Sequence, residues 1–287
     1  MILDNKKKIN KSGWRMAALL WDKYSSPFRP SLEEKEEYNN LIDKYGSGNN
    51  LLLGSTPELR ILFSLKKSKV TLVDSSREMM KHMLQLNKNI NRKNEIWVNV
   101  NWLELNNYFK KRSFNLIIGD LVLRNLKLDE QKKFLKIASH LLSKKGTFII
   151  RLHFIDESLL NKNSESIIKS VFNKKIKQNQ DIEDLITSRL FDKCTNFENH
   201  KVDEGRFIED IKQYSKKSTL EKKEKIILKN ILKKWTAPKD WPEKTWIQTT
   251  EKEIQKIISN DFVIKDKITS TDHIDFKYYP IYVLKKH

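Results

Sequence analysis

Between residues 49 and 154 the chain alternates short, nearly continuous apolar runs with segments whose apolar positions recur at helical spacing. The runs are Leu51–Leu53, Val70–Val73, Ile96–Val100, Phe114–Ile118 and Thr147–Leu152. Each is compact and rich in aliphatic side chains, as a strand covered on both faces should be. The intervening segments predict helices at about 57 to 66, 76 to 89 and 129 to 143. In the last of these, Phe134, Ile137, Ala138, Leu141 and Leu142 share one helical face. Strands joined by helical crossovers give a parallel, doubly wound α/β sheet. Its ligand is expected beyond the carboxyl ends of the strands, near the switch point by the first one.

The first strand-to-helix turn, LLLGSTPELR, is where this ligand would lie. Glycine is scarce, with seven in 287 residues, and Gly54, Gly119 and Gly146 all stand at strand ends or starts. Glycine there supplies positive φ or close backbone approach. Thr56 is a candidate N-cap, and Pro57 suits the first helical position because its missing N–H would have no partner there. Glu58, in the first turn, favours the helix dipole, but it would repel a pyrophosphate seated at the same helix end. A ligand carrying an ammonium and no phosphate fits better than a dinucleotide. The second run ends in Asp74, twenty positions beyond Gly54. A carboxylate there accepts hydrogen bonds from ribose hydroxyls, or else caps the following helix together with Ser75 and Ser76.

In this order LLLGSTPELR, VTLVDSSREMM, NVNWLEL, SFNLIIGD and LLSKKGTFIIR resemble the class I S-adenosylmethionine-dependent methyltransferase family over about residues 49 to 154. DFVIKDKI and KYYPIYVL resemble the strand pair that closes that family's sheet. The resemblance implies a mostly parallel, seven-stranded Rossmann-like sheet with an antiparallel final strand, and S-adenosylmethionine as cofactor. It implies further that Gly54 and Ser55 approach the methionine part, that Glu58 or a neighbouring carbonyl faces its ammonium, and that Thr56 lies in the same turn. Asp74 would hold the ribose, with Ser75 and Met79 bordering ribose and adenine. Asn101 would accept the adenine amino group, and Trp102 would form either a wall of the site or part of the core. Gly119 and Asp120 would stand beside the reactive methyl group. Asp120 is a candidate general base, ammonium ligand or ion-pair partner of Arg151, and His153 a candidate at the acceptor site. The glycine loop has one glycine where the family form carries three.

The flanking regions suggest a cover for this site. Residues 13 to 31 combine Trp14, Trp21, Tyr24, Phe28 and Arg29 with two prolines, as a lid or as a helix packed on the sheet edge. Arg29 or Arg15 would meet the cofactor's carboxylate. Ser31 with Glu34, and Thr250 with Glu253, have capping-box spacing. The expected organisation is an N-terminal helical lid segment at 1–48, a Rossmann-like core at 49–155, an α-helical substrate cap at 156–258 and a closing strand pair at 259–287. Trp235, Trp241 and Trp246, interleaved with Pro238 and Pro242, form an aromatic loop that either stacks nucleobases or anchors the cap. Pro280, inside the last apolar run, marks a strand start near Ile281 or a bulge.

Composition narrows the classes. A single cysteine, Cys194, excludes an internal disulfide and a cysteine-rich metal site, so no metal is expected. No apolar stretch approaches membrane-spanning length, and the charged first residues are followed by no signal-type apolar region. These features predict a cytoplasmic protein with no membrane partner. The formal charge of +19 is scattered over Lys-rich helices amid many Asn and Ile, which suits a solvated surface better than a clustered nucleic-acid site. A small-molecule acceptor is therefore favoured. The alternatives are an RNA methyltransferase or RNA-binding module, and an aminopropyltransferase-like enzyme, which would need several acids converging around Asp120.

Overall fold

The computed structural model describes residues 21–236 and 246–287. Five parallel strands carry the predicted runs: β1 (Asn50–Leu53), β2 (Val70–Asp74), β3 (Glu95–Asn99), β4 (Phe114–Asp120) and β5 (Leu142–Arg151). A short antiparallel pair, β6 (Thr195–Asn196) and β7 (Lys201–Val202), stands apart from them. The sheet is completed by β8 (Phe262–Ile268) and β9 (Ile281–Lys286) in the order β3-β2-β1-β4-β5-β9-β8. β9 runs against both neighbours, so six strands point one way and one the other. Pro280 directly precedes β9 and leaves only its carbonyl to be used, accepting the Leu152 N–H at 3.0 Å.

The double winding follows from strand periodicity. Leu51, Leu53, Ile117, Phe148 and Ile150 enter one apolar layer, and Leu52, Leu72, Leu116, Ile118 and Ile149 enter the other. On the second face lie α1 (Leu32–Tyr45) and α2 (Pro57–Leu65), with Met80 of α3 (Arg77–Leu86). The first face is covered by α4 (Leu128–Leu141). α3 stops short of the predicted end because Asn87 adopts an extended conformation, with φ −138° and ψ 106°. β5 begins earlier than predicted, at Leu142, through an irregular pairing between Phe114 and Leu116 of β4.

Between β5 and β8, α5 (Ser164–Phe172), α6 (Asn179–Lys193), α7 (Glu204–Ser215) and α8 (Lys222–Thr236) enclose an apolar cluster of their own. Ile168, Ile186, Phe191, Phe207 and Ile231 lie at its centre. Trp235 is buried in this cluster, its ring 4.8 Å from that of Phe191. α9 (Glu251–Ile258) packs differently. Its stripe of Ile254, Ile257 and Ile258 joins the sheet's first layer, so by packing it belongs with the sheet, although the sequence grouped it with the insertion. Both capping boxes form, Ser31 with Glu34 on α1 and Thr250 with Glu253 on α9. Among the described residues no helix is long and apolar enough to cross a membrane.

Candidate active site

Strand register gathers the site. Leu53 at the end of β1 lies opposite Val73 and Gly119, Asp74 opposite Asn99, and Asp120 opposite Arg151. Beyond these ends a cavity of about 210 Å³ opens between β1, β2 and β4. Gly54, Ser55, Thr56, Asp74, Ser75 and Met79 line it, together with Asn101, Trp102 and Asp120. Gly54 has φ +80° and donates its N–H to the Val73 carbonyl at 2.8 Å, which turns the chain sharply off the strand. Thr56 stands at the N-cap position of α2 with Pro57 following, but its side chain makes no cap hydrogen bond.

Asp74 is buried and preorganised. Its Oδ2 accepts the Ser55 hydroxyl at 2.7 Å and its Oδ1 the Ser76 N–H at 2.8 Å. These two contacts fix the carboxylate where it lines the cavity. The two alternatives from the sequence are thus compatible, since Asp74 braces the start of α3 and also faces the cavity. Asn101 lines the cavity, with its Oδ1 accepting the Leu103 N–H at 2.9 Å. Trp102 serves as both wall and core. Its Nε1 donates to the Val73 carbonyl at 3.2 Å, it lies beneath Gly54, and it packs on the sheet's first layer. Trp21, Phe28 and Trp246 add an aromatic cover, and Leu121 and Leu126 follow β4 into the apolar wall. The contribution of Leu121 and Leu126 was invisible in the sequence because LVLRNL reads as any apolar loop. Its turn depends on Leu121 adopting φ +51°.

Several predicted site residues are engaged elsewhere. Glu58 does not line the cavity. Its Oε1 accepts Arg29 Nη2 at 2.7 Å and Nε at 2.8 Å, which also removes Arg29 from a free carboxylate-binding role. Arg151 is fully buried and binds Asp120 through Nε at 2.6 Å and Nη2 at 3.1 Å, and Glu34 through Nη1 at 2.8 Å. Burial alone would lower the Arg151 pKa, but Asp120 and Glu34 raise it well above the ordinary arginine value. Tyr38 adds a hydroxyl to Asp120 Oδ1 at 3.3 Å. Of the three roles open for Asp120, the ion pair is therefore formed, and Arg151 has no charge to offer a substrate. Gly119 is buried behind the cavity wall, where a Cβ would sit 2.5 Å from Val122 Cγ2. Tyr24 lies outside this cavity, and Trp14 and Trp241 lie outside the described residues.

His153 is also displaced from the cavity. It is buried between β5 and the insertion, with Nδ1 2.6 Å from Gln248 Oε1, Nε2 3.4 Å from Asp192 Oδ1 and its ring 4.5 Å from that of Tyr279. Burial, with Arg124 nearby, pushes its pKa well below the ordinary value. Arg124 is buried too, its guanidinium 4.8 Å from the Trp246 ring and 6.0 Å from that of Phe28. Among those residues no group of three or more His, Cys, Asp or Glu side chains is placed to hold a metal ion.

No protein-family model and no curated protein matches the chain. Solved structures do, at low identity. The CcbJ methyltransferase of Streptomyces caelestis superposes with a TM-score of 0.56 at 11% identity, covering 99% of each chain. The PH0226 protein of Pyrococcus horikoshii gives 0.53 at 12%, covering 93% of this chain and 94% of its own. A Rhodobacter sphaeroides protein provisionally described as a zinc-dependent alcohol dehydrogenase gives 0.57 at 9%, covering 99% and 100%. Together with the sheet order and its single reversed strand, these likenesses define an α/β protein of the Rossmann-like type. More narrowly, the chain has the class I methyltransferase fold.

Proposed function

We propose that this protein is an S-adenosylmethionine-dependent methyltransferase acting on a small-molecule acceptor. The observation that carries the reading is the buried, braced carboxylate of Asp74 across the crevice from the positive-φ turn at Gly54, with Asn101 and Trp102 on the adjoining wall. The donor set suits an adenosine and disfavours a pyrophosphate, because no glycine-rich nest follows Gly54 and Glu58 stands in the first turn of α2. Asp74 would hold the ribose hydroxyls, Gly54 and Ser55 would border the methionine part, and Met79 would lie against the base. When bound, S-adenosylmethionine supplies a methyl group on a sulfonium, a good leaving group for in-line displacement.

The chain's own contribution is positioning and exclusion of water. Trp21, Phe28 and Trp246 cover the cavity, while Asp120, fixed by Arg151 and Tyr38, presents a stationary negative charge at its floor. A carboxylate held in this way is a poor proton shuttle, so neither Asp120 nor His153 is assigned as a base. The same pairing argues against aminopropyl transfer, which needs unengaged acids. Burial of Trp235 in the cap likewise favours an anchoring role over nucleobase stacking.

Calorimetry tests the reading. S-adenosylmethionine and S-adenosylhomocysteine are expected to bind and NAD is not. Asp74→Ala, confirmed as folded by its thermal melt, is expected to weaken S-adenosylhomocysteine by roughly 100-fold, as loss of charge-assisted hydrogen bonds does. Preferential binding of NAD would sink the proposal.

A further inference from the structure

A second chamber of about 590 Å³ lies beside the cofactor cavity and shares no lining residue with it. The partition between them includes a single stretch of chain. Trp21 and Phe28 face the cavity, whereas Tyr24, Ser25, Ser26, Pro27, Arg29 and Pro30 face the chamber. The strap they form is tied to the core by Arg29 on Glu58 and to the insertion by Ser25, whose N–H meets Asp184 Oδ2 at 2.6 Å. The opposite walls come from the start of α6 and from residues 272 to 275, ahead of β9. The chamber therefore sits over the carboxyl ends of the strands, next to the place where a methyl group would be presented, and its volume is typical of a small-molecule site.

The charges lining it do not cancel. Glu58 is paired with Arg29, Asp272 accepts the Glu33 N–H at 3.0 Å, and Asp275 is held by Arg189 at 2.9 Å. Lys35, Lys175 and Lys177 also line the chamber, and among the described residues none of their ammonium groups has an ion-pair or hydrogen-bond partner. Asp181 and Asp272, neither of them in an ion pair, are the acids left to oppose them. Deeper in, Glu58 Oε2 is buried with no hydrogen-bond donor among the described residues, although Oε1 of the same carboxylate is paired. An unsatisfied buried carboxylate oxygen costs free energy until a donor reaches it.

We infer that this chamber is the acceptor subsite and that it takes a small acid carrying a hydroxyl or amine: its carboxylate or phosphate lies toward the three lysines and its O–H or N–H toward Glu58 Oε2. The inference rests on the methyltransferase reading for the word acceptor, but the anion site stands on the chamber alone. Phe28 faces the cavity while its chain neighbours Pro27 and Arg29 face the chamber, so this stretch of the strap borders both spaces.

Equilibrium dialysis on the full chain, with S-adenosylhomocysteine present, tests this using salicylate, its neutral analogue salicylamide, and phenyl phosphate. Salicylate or phenyl phosphate is expected to bind at least about fivefold more tightly than salicylamide, the stronger of the two telling carboxylate from phosphate. Replacing Lys35, Lys175 and Lys177 together by Gln is expected to weaken that anion by about tenfold while S-adenosylhomocysteine is unaffected. The matched replacement of Lys132, Lys133 and Lys136, exposed on α4, is expected to change neither. Glu58→Gln tests the donor contact separately and is expected to reduce the preference for salicylate over benzoate, which lacks the hydroxyl. Equal binding of salicylamide, or equal loss in both triple variants, would overturn the inference. Loss of S-adenosylhomocysteine binding with the anion preference intact would overturn the cofactor reading instead.

Discussion

Gly54 follows β1 and Gly119 pairs with Leu53 near the end of β4, yet they are glycine for different reasons. At Gly54 the requirement is conformational, since φ is +80° and an added Cβ would meet only Trp102, at an ordinary 3.6 Å. At Gly119 it is spatial, with Val122 Cγ2 at 2.5 Å and Leu53 Cβ at 3.2 Å from the same added atom. Gly119→Ala must therefore push Val122 or Leu53, both buried, with Leu53 in the lining of the cavity. We expect it to destabilise the fold by about 1–3 kcal/mol, as overpacking does, read as a lower midpoint in chemical denaturation. An unchanged midpoint would show that the wall yields at no cost. The same contrast separates the two carboxylates of the opening turn and its neighbour. Asp74 is aimed at the cavity by two short hydrogen bonds, whereas Glu58 is turned away by Arg29.

At the scale of elements, β5 joins the sheet to the insertion through His153, whose polar neighbours come from several directions. Gln248 and Asp192 contact the imidazole, Tyr279 stacks on it, and Arg124 and Arg151 act on it through charge. Burial and Arg124 keep it neutral, well below its ordinary value of 6.5. The unfolded chain therefore binds a proton on this residue as pH falls through about 6.5, and the folded chain does not. His153 thus favours folding fully above that pH and progressively less below it, by about 1.4 kcal/mol per pH unit down to its folded value. Asp192, whose pKa burial raises well above the ordinary range, acts in the opposite sense as pH falls, so the wild-type curve alone mixes the two. His153→Gln removes one of them. The difference in unfolding free energy between wild type and variant should be constant from pH 7 to 8 and shift in the variant's favour between pH 6 and 5. A pH-independent difference would mean that the ring takes up its proton in the fold at the same pH as in the unfolded chain. The elements themselves were legible in the sequence because their signals are local: apolar runs, two capping boxes and a proline that starts β9. The cavity could be read for the same reason, since Gly54, Asp74, Met79 and Asn101 follow short strands in a fixed order. What stayed hidden were pairings between distant positions, such as Arg151 with Glu34 across 117 residues and Ser25 with Asp184 across 159. Any of the surplus lysines and arginines would have served equally well on paper, and only the packed sheet and cap select the partner.

Over the whole molecule, burial redistributes the charge of +19. Glu34, Glu58, Glu95, Asp120, Glu183, Asp184 and Asp192 are drawn inside, each beside an arginine, lysine or histidine. Most lysines stay outside, on the exposed faces of α4, α7 and α8 as well as around the chamber. The outer surface is thus left with an excess of lysines over acids, and the net repulsion opposes the compact state. Added salt shortens the screening distance from about 30 Å at 0.01 M to about 8 Å at 0.15 M and relieves that repulsion, while the buried pairs are screened far less. We therefore expect the thermal midpoint to rise by about 2–4 °C, equivalent to roughly 1 kcal/mol for a chain of this size, between about 0.01 and 0.15 M sodium chloride. Chloride is the anion to use, because sulfate strengthens apolar burial on its own account. A fall in the midpoint would mean that attractive surface pairs, such as Lys217 with Glu165 and Lys267 with Glu251, outweigh the repulsion between lysines, and the view of the basic charge as a dispersed, repulsive surface would fail.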